Sequence, residues 1–205
     1  MKKPGKIVII SSPSGGGKTS ICRKLLSPTR KKLGWQFSVS YTTRAMRTGE
    51  KNGREYHFVT DDDFKKMVKA DLFAEHFKVH LYKYGTPRTP LEKVLKSGGV
   101  MLLDVDVQGA KKIKKKYPEA ITIFVMPPSV KELRKRLRQR GTETKKQLKV
   151  RFNNAAAEML LFDKFEYAVI NKELNTAVAE VLSIINCHHC RTDKMTAEQK
   201  KKIRV

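Results

Sequence analysis

The stretch Ser11-Ser12-Pro13-Ser14-Gly15-Gly16-Gly17-Lys18-Thr19 has the residue types and spacing of a phosphate-binding loop. Glycines let successive backbone N–H groups turn into one concavity, and a following helix adds the positive end of its dipole, so such a segment makes an anion site. Lys18 is placed to reach terminal phosphates, and Thr19 to set its hydroxyl on a phosphate-bound magnesium. The first glycine of the usual G-x-x-x-x-G-K-[ST] pattern is replaced by Ser12. A second constellation, Asp104-Val105-Asp106, closes the apolar run Val100-Met101-Leu102-Leu103. It puts two carboxylates at the carboxyl end of a sheet strand, the edge where open α/β sheets bind ligands, and a carboxylate facing the loop there helps hold hydrated magnesium.

These groups need elements to hold them. Lys6–Ile10 is a β-branched run of the kind that forms a buried parallel strand, and Ser20–Leu26 returns apolar residues at helical spacing, so the loop joins strand to helix. Gly34–Tyr41 alternates apolar and small polar residues, with Phe37, Val39 and Tyr41 on one side, and predicts a half-buried strand. The segment 45–54, with an Asn52-Gly53 turn signal, leads into a strand over Glu55–Val59, and the pair is expected to run antiparallel. Thr60 and the acidic turn Asp61-Asp62-Asp63 open a helix. Phe73–His80 and Leu81–Gly85 read as a strand pair. Thr89, Pro90 and Glu92 are spaced as cap, first helical position and capping-box partner of a helix that Gly98 closes. Gly99–Asp104 and Ile121–Met126 are further buried strands, Ser129 and Glu132 cap a helix ending at Gly141, another helix starts near Thr144, and Phe165–Asn171 and Leu174–Ile185 are the last strand and helix. Strand and helix alternate around a small antiparallel unit, the pattern of a parallel sheet with helices on both faces.

Within 205 residues this is one compact domain, and 40% apolar content supports a packed core. No apolar run approaches the roughly 20 residues that cross a bilayer, and the four-residue apolar stretch behind the basic start is too short for a secretory leader. A cytoplasmic protein is expected. Three cysteines give no disulfide framework; Cys187-His188-His189-Cys190 comes from one segment, whereas structural zinc draws ligand pairs from two, and solvated residues are expected there. The net charge of +24 concerns partners rather than fold, and runs such as Lys111–Lys116 and Lys200-Lys201-Lys202 read as solvated faces. No zinc-finger spacing or other reading motif accompanies it, so no specific nucleic-acid partner is expected.

From Lys6 to about Ile185 the chain resembles the guanylate kinases, P-loop nucleoside monophosphate kinases. The resemblance rests on Pro13–Thr19, Ser38-Val39-Ser40-Tyr41-Thr42-Thr43-Arg44, Arg47-x-Gly49-Glu50-x-Asn52-Gly53, Tyr84-Gly85-Thr86, Leu103-Asp104-Val105-Asp106-x-Gln108-Gly109 and Arg140-Gly141-Thr142-Glu143-Thr144, in family order. It implies a P-loop sheet with a GMP-binding insertion (35–88), a helical lid (129–154) and a core (1–34, 89–128 and 155–185); the basic tail (186–205) falls outside the resemblance. It implies phosphorylation of GMP, and of dGMP, by ATP with magnesium, in a monomer or small homo-oligomer.

Position by position, the resemblance implies that Ser12, Pro13, Ser14, Gly15, Gly16, Gly17, Lys18 and Thr19 cradle ATP, with Asn171 near the adenine. Ser40, Glu75 and Thr86 would address guanine, and Arg44, Arg47, Tyr56 and Tyr84 the GMP phosphate. Glu50 and Asp106 join the substrate set, and Thr19 and Asp104 serve the metal. Arg136, Arg140 and Arg151 would close over ATP and, with Lys18 and Arg44, act in catalysis. The types suit the tasks: a carboxylate accepts from the guanine N1–H and exocyclic amine, and arginines grip phosphate with paired donors. Guanylate-kinase-like domains of scaffold proteins keep the fold as peptide-binding modules without ATP chemistry; a nucleotide titration with GMP binding and no turnover would mark that case.

Overall fold

The structure, a computed structural model, describes residues 5–79, 81–139 and 145–188. The chain opens with β1 (Lys6–Ser11), α1 (Lys18–Leu25), α2 (Pro28–Lys32), β2 (Trp35–Phe37), β3 (Tyr41–Thr42), β4 (His57–Phe58), α3 (Asp61–Lys69), β5 (Phe73–Val79) and β6 (Tyr82–Pro87). It continues through α4 (Arg88–Ser97), β7 (Val100–Asp104), α5 (Val107–Lys116), β8 (Ile121–Met126), α6 (Val130–Gln139), α7 (Lys145–Met159), β9 (Tyr167–Ile170) and α8 (Leu174–Cys187).

Five strands form a parallel sheet in the order β2-β7-β1-β8-β9. Its central strands are apolar on both sides, because helices cover both faces. Val8, Ile10, Leu102, Ile123 and Val125 pack with α1 and α8, while Ile7, Ile9, Met101 and Leu103 pack with α4 and α5. Alternation along each strand thus divides one apolar run between two cores. A third cluster, Leu133, Leu137 and Ala155 with Phe152 and Met159, joins α6 to α7.

A second sheet, β4-β3-β6-β5, lies over the insertion and differs from the sequence expectation in two ways. The expected strand over 34–41 is split: Trp35–Phe37 pairs with β7 in the core sheet, the last bond running from Ser38 N to Leu102 O at 2.9 Å, and only Tyr41–Thr42 enters the second sheet. Trp35 and Phe37 bury against the α1–α8 side, so a boundary at residue 35 places in the insertion a strand that extends the core. The second difference is direction. β3 and β4 run parallel, with Tyr41 opposite His57, because the segment 43–56 turns back through its own contacts before delivering His57 N to Ser40 O and Val59 N to Thr42 O. The Asn52-Gly53 turn is present, Gly53 at φ 78°, within that return rather than between hairpin strands.

Caps followed their chemistry where nothing competed. Thr60 accepts from Asp63 N, Ser129 from Glu132 N, and Gly98, at φ 80°, closes α4. The expected Thr89 cap is displaced. α4 starts at Arg88, whose N–H donates to Leu72 O while its guanidinium holds Asp71 and the Phe73 carbonyl, so β6 feeds directly into the helix and Pro90 falls within the first turn. α7 runs unbroken past the expected lid boundary at 154. At the end of α8, Cys187 is exposed, but His188, its cap, is buried with Nδ1 3.4 Å from the Tyr167 hydroxyl, correcting the expectation of a solvated cluster there; His189 and Cys190 lie outside the described residues. No helix among the described residues is long and apolar enough to cross a membrane.

Candidate active site

β1 ends at Ser11 and the chain curls over residues 12–17 before Lys18 starts α1, so the loop amides sit at a helix N-terminus on the carboxyl edge of the sheet. Two positions require glycine. Gly15 has φ 91° and lies under Leu133 and Leu137 of α6, whose side-chain atoms would sit 3.3 and 3.2 Å from an added Cβ. Gly17, at φ 101°, faces the amide of Asn171 so closely that a Cβ would collide with Nδ2. Ser12 replaces the first glycine without strain, since its φ lies outside the left-handed region, and its Cβ occupies the space that Gly16 leaves open. The loop is braced from behind: Asn171 Nδ2 donates to Gly16 O at 2.9 Å and Asn171 N to Met126 O at 2.7 Å.

Lys18 and Thr19 both meet the carboxylate at the end of β7. Lys18 Nζ lies 3.5 Å from Asp104 Oδ1, and Thr19 Oγ1 donates to Asp104 Oδ2 at 2.7 Å. Oδ1 is buried without a hydrogen bond and faces Lys18 only as an ion pair. A hydroxyl and a carboxylate with an unspent oxygen are hard oxygen donors of the kind magnesium takes, so the residues present fit that cation.

Across the cleft the inserted sheet presents the second set. A register shift between Phe73 and Glu75 turns β5 so that Glu75 pairs with Thr86 on β6 and aims inward. The buried Thr86 hydroxyl donates to Glu75 Oε1 at 2.7 Å, while Oε2 is buried without a partner. Burial, offset in part by the Thr86 hydrogen bond and the charge of Lys112, pushes the Glu75 carboxyl up to about 7. A carboxyl raised on folding binds its proton more tightly in the native state. The stability it contributes is therefore complete below about pH 4.5 and is lost as pH rises through about 7. Replacing it with Gln should remove that loss: urea denaturation should show Glu75→Gln gaining on the parent by about 3 kcal/mol between pH 4.5 and 8. A pH-independent difference would contradict this account of the carboxyl.

Arg44 is buried, with its guanidinium 5.6 and 5.5 Å from the Tyr56 and Phe58 ring centroids. Nη2 donates to both oxygens of Glu50 at 2.8 and 3.0 Å, and Nη1 to Ala45 O at 2.7 Å. Burial works to lower the Arg44 guanidinium and to raise the Glu50 carboxyl, and their mutual hydrogen bonds override it in both, so each stays charged. Glu50, expected among the substrate contacts, is thus the internal counter-ion of Arg44 and also accepts from the Arg47 amide at 2.8 Å. Arg47 itself is exposed at the rim. Burial, then the negative charge of Asp104, pushes the Tyr56 phenol above its ordinary range, which keeps it a neutral donor; its ring lies edge-on to Tyr84 at 5.8 Å.

Both sets open onto one cleft of about 690 Å³, lined by Lys18, Thr19 and Asp104 on one side and by Ser40, Arg44 and Glu75 on the other. Asp106 also lines it, although its Oδ1 caps α5 through Gly109 N at 2.8 Å. Arg136 and Asn171 are not brought into it. Arg136 is engaged by Glu132 Oε1 and Asn171 O, both at 2.9 Å, and Asn171 serves the loop from beneath. Arg140 and the side chain of Arg151 lie outside the described residues.

Among the cleft residues not assigned from sequence, two polar ones stand out. Glu158 of α7 accepts from the Ser14 amide at 3.1 Å, a contact across 144 positions that an Ala-rich helix does not announce. Ser38 is buried with its hydroxyl unpartnered. Its signal was there: Ser38 and Ser40 alternate with Phe37 and Val39, which puts both hydroxyls on the opposite side of the chain from the apolar residues.

The guanylate kinase family model matches residues 4–188. A guanylate kinase of Caldanaerobacter subterraneus subsp. tengcongensis is 41% identical over 194 residues, covering 95% of this chain and 93% of its own. One from Clostridium acetobutylicum is 41% identical over 195 residues, covering 95% and 91%. The crystal structure of guanylate kinase from Anaplasma phagocytophilum is similar at a TM-score of 0.78 with 30% identity, covering 98% of this chain and 94% of that one.

Proposed function

The chain belongs to the guanylate kinase family and phosphorylates GMP at the expense of ATP, and from that premise we propose which of its residues do so. One observation carries the assignment: a phosphate loop and a buried carboxylate suited to guanine, Glu75, open onto the same cleft, with Thr86 fully buried behind it and holding Oε1.

The loop Ser12–Thr19 receives the ATP phosphates on its backbone N–H groups, Pro13 excepted, and Lys18 follows the charge that spreads over the transferred group. Thr19 and Asp104 hold magnesium, which when bound neutralises and orients the phosphates. Arg44, Arg47, Tyr56 and Tyr84 seize the GMP phosphate, which must compete with Glu50 for the Arg44 fork. Glu75 reads the N1–H and exocyclic amine of guanine, with Thr86 holding Oε1 and Ser40 and Asp106 alongside. The GMP phosphate oxygen then displaces ADP from the γ-phosphoryl in line, without a side-chain nucleophile. The insertion beyond the core strand β2, residues 38–88, acts as the acceptor-binding unit and 129–154 as a lid that brings Arg136, Arg140 and Arg151 over ATP and excludes water. For Arg136 this requires leaving Asn171 O, and Asn171 acts as a brace behind the loop as well as near the adenine. The enzyme works in the cytoplasm, as a monomer or small homo-oligomer, with no specific nucleic-acid partner.

A coupled ADP-release assay with ATP and magnesium, offered GMP, dGMP, AMP, CMP and UMP in parallel, should show turnover with GMP and dGMP alone. Equal use of AMP would remove the base-reading assignment. GMP binding without turnover would turn the cleft into a binding module.

A further inference from the structure

Helix α5 carries five lysines between 111 and 116, and the sequence alone marks them as a solvated face. Lys111, Lys112, Lys115 and Lys116 are all exposed, and Lys114 pairs with Glu166 at 3.0 Å. Lys112 is placed differently. The Phe77 ring presses on α5 at Gly109, where an added Cβ would come within 2.6 Å of it, so the helix lies directly against β5. Three residues on, the Lys112 ammonium donates to the His76 carbonyl at 2.7 Å. His76 follows Glu75, whose Oε2 is buried and unpartnered inside the cleft.

We propose that Lys112 is a positioning residue for guanine specificity, a cation fixed against β5 that lets Glu75 meet the base as a carboxylate rather than a carboxylic acid. This rests on the reading of Glu75 as the guanine acceptor. A protonated Glu75 would set an O–H against the guanine donors, so recognition depends on ionisation in a site where burial opposes it. Neighbouring elements leave that task to Lys112. On α5 its charge favours the ionised form and that of Asp106 disfavours it. On β6, Thr86 supplies a neutral hydroxyl, Lys83 is held by Asp61 of α3, and Tyr84 presents a phenol. Of the remaining α3 charges, Lys65 pairs with Asp61 and Asp62, Lys66 with Asp63, and Lys69 is exposed. On α4, Arg88 is taken by Asp71, the charge of Glu92 acts on Arg88 and Tyr117, and Lys93 and Lys96 are exposed. The His76 ring, held down by burial and then by Lys112, is neutral.

The test is KM for GMP against pH, from 6 to 9.5 at constant ionic strength, for the parent, Lys112→Met, Lys112→Arg and Glu75→Gln. GMP titrates its own phosphate identically in all four, so the differences isolate the protein group. Lys112→Met should displace the KM profile to higher pH by about one unit, raising KM about fivefold at pH 7 and converging with the parent near pH 9, with kcat and KM for ATP unchanged. Lys112→Arg should restore the parent profile. An unshifted profile, or an increase in KM of equal size at every pH, overturns the proposal, the latter by showing that only packing was lost. If Glu75→Gln leaves KM for GMP unchanged, the guanine assignment of Glu75 fails and takes this inference with it; a large Glu75→Gln effect beside an unshifted Lys112→Met profile refutes the inference alone.

Discussion

Lys18→Met should lower kcat about a thousandfold while the protein stays folded. Phosphoryl transfer asks the enzyme for position and charge neutralisation, and Lys18, which follows the loop and lines the cleft, supplies a cation there. In the unliganded protein it rests 3.5 Å from Asp104, a partly exposed pair whose loss should cost no more than about 2 kcal/mol. Met is nearly as good a helix former at the first position of α1, and its chain fills the same path, so the loop keeps its shape. Because the charge it answers develops in the transition state, the loss should fall on kcat and leave KM for GMP within a few-fold. Steady-state kinetics with urea denaturation on the same preparation separate the outcomes: a thousandfold fall with an unfolded variant would say that the lysine supports structure, not transfer.

Glu75→Gln should lower kcat/KM for GMP by about a hundredfold to a thousandfold, with KM for ATP unchanged. The carboxylate offers two acceptors to two guanine donors; the amide offers one acceptor and sets an N–H against the other donor, leaving two buried donors face to face. Thr86 sharpens the penalty, because its hydroxyl already donates to Oε1 and fixes which oxygen the amide must keep there. Equal losses for both nucleotides would mean that the variant had loosened the cleft as a whole. The same substitution is expected to stabilise the unliganded protein at alkaline pH, since a carboxylate prepared for guanine is costly to bury without it. Lower activity alongside higher stability is the signature of a group kept for its ligand.

Much of the molecule was legible without coordinates. β-branched runs became central strands because a parallel sheet covered on both faces buries every residue, and Thr60, Gly98 and Ser129 became caps because helix ends need the groups they supply. The loop between β1 and α1, and the aspartate at the end of β7, were placed by local chemistry alone: the glycines admit a backbone that other residues resist, and a strand that ends in Asp presents it at the sheet edge.

Elsewhere, partners distant in sequence decided. Gly34–Tyr41 alternates like one strand, yet the chain leaves β7 after Ser38 and joins β6 at Tyr41, a division set by which neighbour offers free backbone groups at each end. Arg88, not Thr89, begins α4 because Leu72 O and Asp71 are waiting for it. Asn171 and Arg136 hold the underside of the loop, Glu50 occupies Arg44, and Glu158 reaches Ser14 from a helix that carries no mark of it. Lys112 is the plainest case, one lysine among five until β5 is laid beside it. Residue type and short-range spacing determined which chemistry this chain carries, because turns, caps and strand ends are local. Only tertiary structure decided which charge faces which, because Coulomb energy and desolvation depend on distance and burial, and neither is written along the chain.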